Sequence, residues 1–270
     1  MPELPEVETT RSGIAPHIEG KRIAGVAVRQ PQLRWPIPDD LASLLTGRTV
    51  RSVERRAKYL LLNLANGTLI LHLGMSGSLR ILPRETTPGK HDHFDLLFRH
   101  CCLRLRDPRR FGAVLWTDRP VEQHPLITHL GPEPLSLEFS GDYLYRQAQQ
   151  RRVAVKNLIM DGHVVVGVGN IYANEALFRA GIHPARTAQR ISAARCARLT
   201  GEIKSVLAAA IQRGGTTLRD FQQEDGKPGY FAQELLVYGK AGAPCPGCGT
   251  PLKQRRIGQR SSFFCGRCQR

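Results

Sequence analysis

The chain has 270 residues, 41% hydrophobic and 23% charged, and its 39 Lys and Arg against 23 Asp and Glu leave a formal charge of +16. This length predicts about two domains with a proper core, and the charge predicts a polyanionic partner, either nucleic acid or an anionic membrane surface. No stretch approaches the ~20 apolar residues of a spanning helix, and the acidic, Pro-rich start MPELPEVETT is the opposite of a signal or transit peptide, so the expectation is a cytoplasmic protein directed at nucleic acid.

Residues 5–19 predict a helix. Pro5 suits its first turn, Val7, Arg11, Ile14 and Ile18 share one face, and Gly20 stops it. Glu3, Glu6 and Glu8 stand at the positive end of its dipole. Strand-like runs follow at 22–29, 50–53 and 58–64. Alternation of Leu60, Leu62 and Leu64, then Asn66-Gly67, then Leu69, Leu71 and Leu73 predicts a hairpin. Further strand patterns lie at 94–98, 103–105 and 114–116. Residues 1–130 thus predict a β-sandwich with one leading helix, within an α+β chain. The run LGPEPL at 130–135 opens a linker over 131–150, and helical patterns dominate 151–236. Ser140 caps a helix over 142–150, a short helix fits 154–160, and 170–180 is stopped by Gly181. Ser192 caps a long helix with Ile203, Val206, Leu207 and Ala210 inward, ended by Gly214-Gly215.

The last segment, 237–270, contains Cys245-x-x-Cys248 and Cys265-x-x-Cys268 separated by sixteen residues. Two residues between thiolates let both sulfurs face one tetrahedral ion, and the spacer is long enough for a hairpin that returns the second pair. One structural Zn with a closed shell is expected. The odd total of seven cysteines argues against a disulfide framework, and Cys101, Cys102 and Cys196 read as small buried hydrophobes. Lys240, Lys253, Arg255, Arg256, Arg260, Arg267 and Arg270 occur in this segment with no acid. A hairpin with such a stripe fits a DNA groove.

Removal of Met1 would make Pro2 a free secondary amine beside Glu3. Such an amine can attack an electrophilic carbon to give an iminium, with Glu3 moving protons. Proline at position two is by itself commonplace. However, MPELPEVET at 1–9, RRAKYLLL at 55–62, HLGMSGSL at 72–79, DPRRFG at 107–112, GVGNIYANEALF at 167–178, and QR with SFFC at 259–265 stand in order. Together with the four cysteines, these blocks make the chain resemble the formamidopyrimidine-DNA glycosylases (8-oxoguanine DNA glycosylases) along essentially its whole length.

The resemblance implies a base-excision repair enzyme in which Pro2 attacks the deoxyribose C1′ and displaces the oxidised purine. Glu3 then matches the acid that protonates and opens the sugar, and β,δ-elimination cuts the strand. By the same transfer, Lys58 assists elimination and contacts phosphate, and Arg260 grips the phosphates flanking the lesion. Met75, Arg109 and Phe111 match a wedge that fills the space left by the flipped nucleotide, with Arg109 donating to the orphaned cytosine. Phosphate contacts are implied for His72, His91, Arg151 and Asn170. Asn170 also has a reading of its own, since a helix opening after Gly167-Val-Gly169 turns backbone N–H groups toward an anion. Position 151 is often lysine in relatives, and either Arg151 or Arg152 can serve. Glu6 either helps orient the flipped nucleotide or serves the helix dipole. The helical part resembles a helix–two-turn–helix domain, with the zinc hairpin after it, and the segment 214–233 is expected to cap the extruded base. The implied partner is damaged double-stranded DNA, bound by a monomer.

Two other readings compete. One is an endonuclease VIII-like glycosylase for oxidised pyrimidines, which shares Pro2-Glu3 and the hairpin. The other is a non-catalytic zinc-ribbon DNA-binding protein. The MPELPEVE start and the set Met75, Arg109 and Phe111 resemble the purine enzyme more.

Overall fold

In the first unit, α1 (Leu4–Ile18) starts with Pro in its first turn. Its N-cap is Glu3, whose carboxylate accepts from the Glu6 N–H, while Glu6 Oε2 accepts from the Glu3 N–H at 2.8 Å. This reciprocal capping box satisfies two backbone donors that a helix start otherwise leaves open. Val7, Ile14 and Ile18 are buried, as their shared face predicts. The computed structural model describes residues 2–215 and 234–270. Almost all of the expected base cap at 214–233 therefore lies outside the described residues.

After α1 come β1 (Gly25–Val28), a short α2 (Leu41–Leu45), β2 (Ser52–Arg56), β3 (Tyr59–Leu64) and β4 (Gly67–His72). Then come β5 (Ser78–Pro83), β6 (Asp92–Leu97), β7 (Cys101–Arg106) and β8 (Ala113–Thr117). They form two four-stranded antiparallel sheets, ordered β1-β6-β7-β5 and β2-β3-β4-β8. Leu60, Leu62, Leu69 and Leu71 of one sheet share a core with Leu79, Phe94, Leu96, Leu103 and Leu105 of the other. Ile14 and Ile18 of α1 belong to the same core, so the sandwich with its leading helix is observed. Its period-2 alternation follows from side chains pointing to opposite faces of a strand.

Three local differences from the sequence reading have physical causes. The β3–β4 reversal is made by Ala65 and Asn66, with Leu64 paired to Gly67, so the turn sits one residue earlier than Asn-Gly. Gly67 is required by packing: a Cβ there would lie 2.4 Å from the Thr117 carbonyl oxygen and 2.5 Å from the Trp116 ring. The other two differences are α2 and β5, which have no counterpart among the predicted runs. Helix α2 spans 5 residues, too few to show a helical period. Strand β5 is an edge strand ending at Pro83, and only its first two residues are fully buried.

The second unit begins at His129 and includes the zinc module. It contains α3 (Gly141–Gln149), α4 (Val155–Met160), α5 (Asn170–Arg179) and α6 (Ala193–Gln212). Ser140 Oγ accepts from the Tyr143 N–H at 3.1 Å, the expected cap of α3. Helix α6 packs against α3 and α5, burying Ile203, Val206, Leu207 and Ala210. The antiparallel pair β9 (Lys253–Ile257) and β10 (Arg260–Phe264) forms the expected hairpin between the two cysteine pairs. Among the described residues no helix is long and apolar enough to cross a membrane.

Candidate functional site

Pro2 and Glu3 are buried at the start of α1. The helix that carries them is fastened to the turn that carries Lys58. Glu8 Oε2 accepts from Arg55 Nε at 2.8 Å, and Arg55 Nη1 donates to the Ala57 carbonyl at 2.9 Å. Arg56 pairs with Tyr59, so Ala57 and Lys58 are the whole turn, and Ala57 has φ 56°. The structure thus brings an N-terminal amine position, a carboxyl and a lysine turn onto one scaffold. The Glu8–Arg55 tie was not among the predicted site residues. Glu6 is committed to the capping box, and a Cβ on Gly215 would lie 3.2 Å from its Oε1.

His72 closes β4. Its Nδ1 accepts from the Gly74 N–H at 3.0 Å, which leaves the proton on Nε2, and its ring lies 5.0 Å from that of Tyr59. Burial pushes the His72 pKa down to about 4, helped by the charges of Lys58 and Arg34. At neutral pH this imidazole is a neutral N–H donor in a cationic setting, a state that suits a phosphate oxygen. His91 is half-buried beside His93, whose Nε2 lies 3.0 Å from the Asp107 carbonyl oxygen.

Met75 is half-buried, whereas Arg109 and Phe111 are exposed, Phe111 to 49%. Phe111 is therefore a loop-tip side chain and lies outside the core. The Met75 loop and the Arg109–Phe111 loop share one anchor. Asp107 is fully buried, and its Oδ1 accepts from Ser76 Oγ at 2.9 Å while its Oδ2 accepts from the Gly112 N–H at 2.7 Å. Ser76 Oγ in turn accepts from the Arg109 N–H at 3.2 Å. The sequence reading did not single out Ser76 or Asp107; the signal available was an Asp-Pro turn opener in an otherwise basic motif.

In the second unit, Asn170 is the first residue of α5, after Gly169 as N-cap and Gly167 at φ 78°. Its buried side-chain Oδ1 has no hydrogen-bond partner among the described residues, so hydrogen-bonding capacity remains at a positive helix end. Arg151 follows α3, its Nη1 held by Gln147 Oε1 at 2.6 Å, and Arg152 is exposed. Arg260 is exposed at the first position of β10, directly after the two-residue turn Gly258–Gln259. Both turn residues have positive φ, 55° and 63°, which matches the right-handed twist of the strands. Three further residues orient this hairpin. Lys156 Nζ donates to the Ser261 carbonyl at 2.9 Å and to Ser262 Oγ at 2.6 Å, and Asn174 Oδ1 accepts from the Phe263 N–H at 2.7 Å. The Glu175 carboxylate accepts from the N–H groups of Leu236, Val237 and Tyr238 at 2.8–3.0 Å. The clue in the sequence was a polar pair, Asn174-Glu175, inside an apolar helical run.

The Sγ atoms of Cys245, Cys248, Cys265 and Cys268 all lie within 4.8 Å of one another. Cys245 and Cys268 are 3.9 Å apart and Cys248 and Cys265 3.5 Å, close to the edge of about 3.8 Å expected for a tetrahedron of Zn–S bonds near 2.3 Å. The N–H groups of Gly247 and Cys268 point at Cys245 Sγ and Cys265 Sγ, each at 3.4 Å, as donors that stabilise thiolates. These residues fit one Zn ion.

Ala57, Arg110 and Gln259 are the three non-glycine residues with positive φ among the described residues. Each sits directly before or between residues expected to work on DNA: Lys58, Arg109 with Phe111, and Arg260. Left-handed backbone at a residue with a Cβ carries a cost, and at Ala57 and Gln259 it belongs to the tight two-residue hairpin turns.

Comparison with known proteins adds independent findings. Residues 1–114 match the formamidopyrimidine-DNA glycosylase N-terminal domain and residues 130–222 the formamidopyrimidine-DNA glycosylase H2TH domain. Residues 242–270 match a zinc finger found in FPG and IleRS. The formamidopyrimidine-DNA glycosylase of Marinobacter nauticus is 62% identical, covering 100% of both chains. A mutant Lactococcus lactis FPG, solved with Fapy-dG-containing DNA, matches with TM-score 0.92 and 32% identity over 100% of both chains. A MutM solved with carbocyclic 8-oxo-G-containing DNA matches with TM-score 0.91 and 32% identity over 100% of both chains.

Proposed function

The chain belongs to the formamidopyrimidine-DNA glycosylase family, and from that premise we infer that it is a base-excision repair enzyme that removes oxidised purines from duplex DNA. The observation that carries this reading is full-length identity of 62% to a relative of that name. The substrates are ring-opened formamidopyrimidines and 8-oxoguanine, and the working unit is a monomer with one structural Zn held by Cys245, Cys248, Cys265 and Cys268. The enzyme acts in the cytoplasm, on the nucleoid.

The assignment of roles follows from chemistry. With Met1 removed, the Pro2 amine attacks C1′ of the flipped nucleotide. The C1′–N bond to the base breaks, the base leaves with a proton, and Glu3 protonates the sugar ring oxygen as the ring opens to an iminium. The iminium acidifies C2′, so successive β- and δ-elimination expel the two flanking phosphates. Lys58 takes part in that proton removal and contacts phosphate. Arg260 clamps phosphate as a bidentate donor, a role that suits a group whose pKa exceeds ~12 better than proton transfer does. His72, His91, Arg151 and Asn170 position the backbone, while Met75, Arg109 and Phe111 hold the kink.

Borohydride trapping on an 8-oxoguanine:cytosine duplex tests the reading. A reduced covalent adduct is expected, and Pro2→Gly or a retained Met1 should abolish it. Binding without an adduct in the unmodified enzyme would overturn the assignment. Faster excision of thymine glycol than of 8-oxoguanine would move the chain to the pyrimidine branch.

A further inference from the structure

We propose that Asp107 is the positioning residue of the DNA wedge: together with Ser76 it locks the Met75 loop and the Arg109–Phe111 loop into one preformed unit. The inference rests on the functional reading above, because it concerns how that enzyme opens the base stack. Asp107 is fully buried, and its carboxylate is spent on a hydroxyl and a main-chain N–H belonging to these two loops. Its own backbone fixes the loop base. The Arg110 N–H donates to the Asp107 carbonyl at 3.1 Å, closing a turn with Pro108 at its second position, and the Asp107 N–H donates to the His91 carbonyl at 3.0 Å.

The loops are also fitted together backbone to backbone. A Cβ on Gly74 would lie 2.4 Å from the Phe111 carbonyl carbon, and one on Gly112 would lie 2.8 Å from the His72 carbonyl oxygen. Moving either loop alone would therefore break a hydrogen bond of a buried carboxylate, which is expensive to leave unpaired. A side chain that must enter a stack as the base leaves gains from such preorganisation, because no loop ordering has to be supplied during insertion.

The test compares two conservative variants, Asp107→Asn and Ser76→Ala, with the wild-type holoenzyme. Two activities are measured: kcat/KM for 8-oxoguanine excision from a duplex opposite cytosine, and cleavage of a preformed abasic site in a single strand, where there is no partner strand to wedge apart. Each variant should lower duplex excision about 10-fold or more while single-strand cleavage stays within about 2-fold of wild type. Placing the lesion opposite a gap in the partner strand should restore much of the loss. Parallel loss of both activities would overturn the proposal, since Asp107 would then hold the fold at large. Unchanged duplex excision in both variants would overturn it equally. Ser76→Ala removes a single hydroxyl and serves if Asp107→Asn does not fold. A wild-type enzyme that fails on the duplex speaks against the functional reading instead, so the two failures are distinguishable.

Discussion

Glu3 carries two duties that a substitution can separate. As N-cap it needs only an acceptor oxygen, but as the proposed acid it needs a proton to give. Glu3→Gln keeps an acceptor, so the melting temperature should move by no more than a few degrees. Base excision should fall at least 100-fold, while cleavage of a preformed abasic site persists, because that sugar already opens to its aldehyde. Gel assays on the two substrates check this, and loss of both activities would remove Glu3 from the ring-opening role. His72 gives a pH prediction. Its folded pKa is about 4 against 6.5 in the unfolded chain, so the unfolded state takes the proton first. Its stabilising share is fully present above pH 6.5 and is lost as pH falls from there toward 4. Urea denaturation at pH 7.5 and 5 should show wild type losing more stability than His72→Asn over that interval.

At the scale of elements, the zinc hairpin depends on its neighbours as much as on its metal. Lys156, Asn174 and Glu175 are buried polar groups, and each makes side-chain hydrogen bonds to the hairpin or to the chain leading to it. Glu175→Ala would leave three backbone N–H groups without their acceptor, and a loss of at least about 3 kcal/mol is expected by urea denaturation. Removing the metal should act differently. Chelation of Zn should unfold the finger and strip its DNA affinity, read by fluorescence anisotropy, while the sandwich keeps its β signal in circular dichroism, because its core includes no residue of the finger. The hairpin and its four ligands were legible from spacing. The three anchors were not, because a buried polar residue looks like any surface one until its partners, some 60 to 106 residues away, are known.

Across the whole molecule, the charge of +16 divides unevenly, with seven cations and no acid in the last segment. Binding to undamaged duplex should weaken steeply with salt, and Arg260→Ala should reduce the slope of log K against log salt by about 1 through loss of one phosphate contact. A slope unchanged in that variant, measured by titration at several salt concentrations, would place Arg260 away from phosphate.

The sequence by itself determined the α+β class, the zinc ligand set, the polyanionic partner and the family, because these rest on periodicity, spacing and ordered motifs that are local along the chain. It also placed most helices and strands. It did not place β5, an edge strand with little buried face, or α2, which is shorter than two helical turns. Only the tertiary structure decided why Gly67 must be glycine and which residues hold the Lys58 turn, the Met75 and Arg109–Phe111 loops and the hairpin in position. Each of those answers is a contact between segments distant in sequence, where burial removes water and makes one particular partner necessary. The charge that brings the enzyme to DNA is written in composition, whereas the aim of its side chains is set by Glu8, Asp107 and Glu175 once the chain has folded.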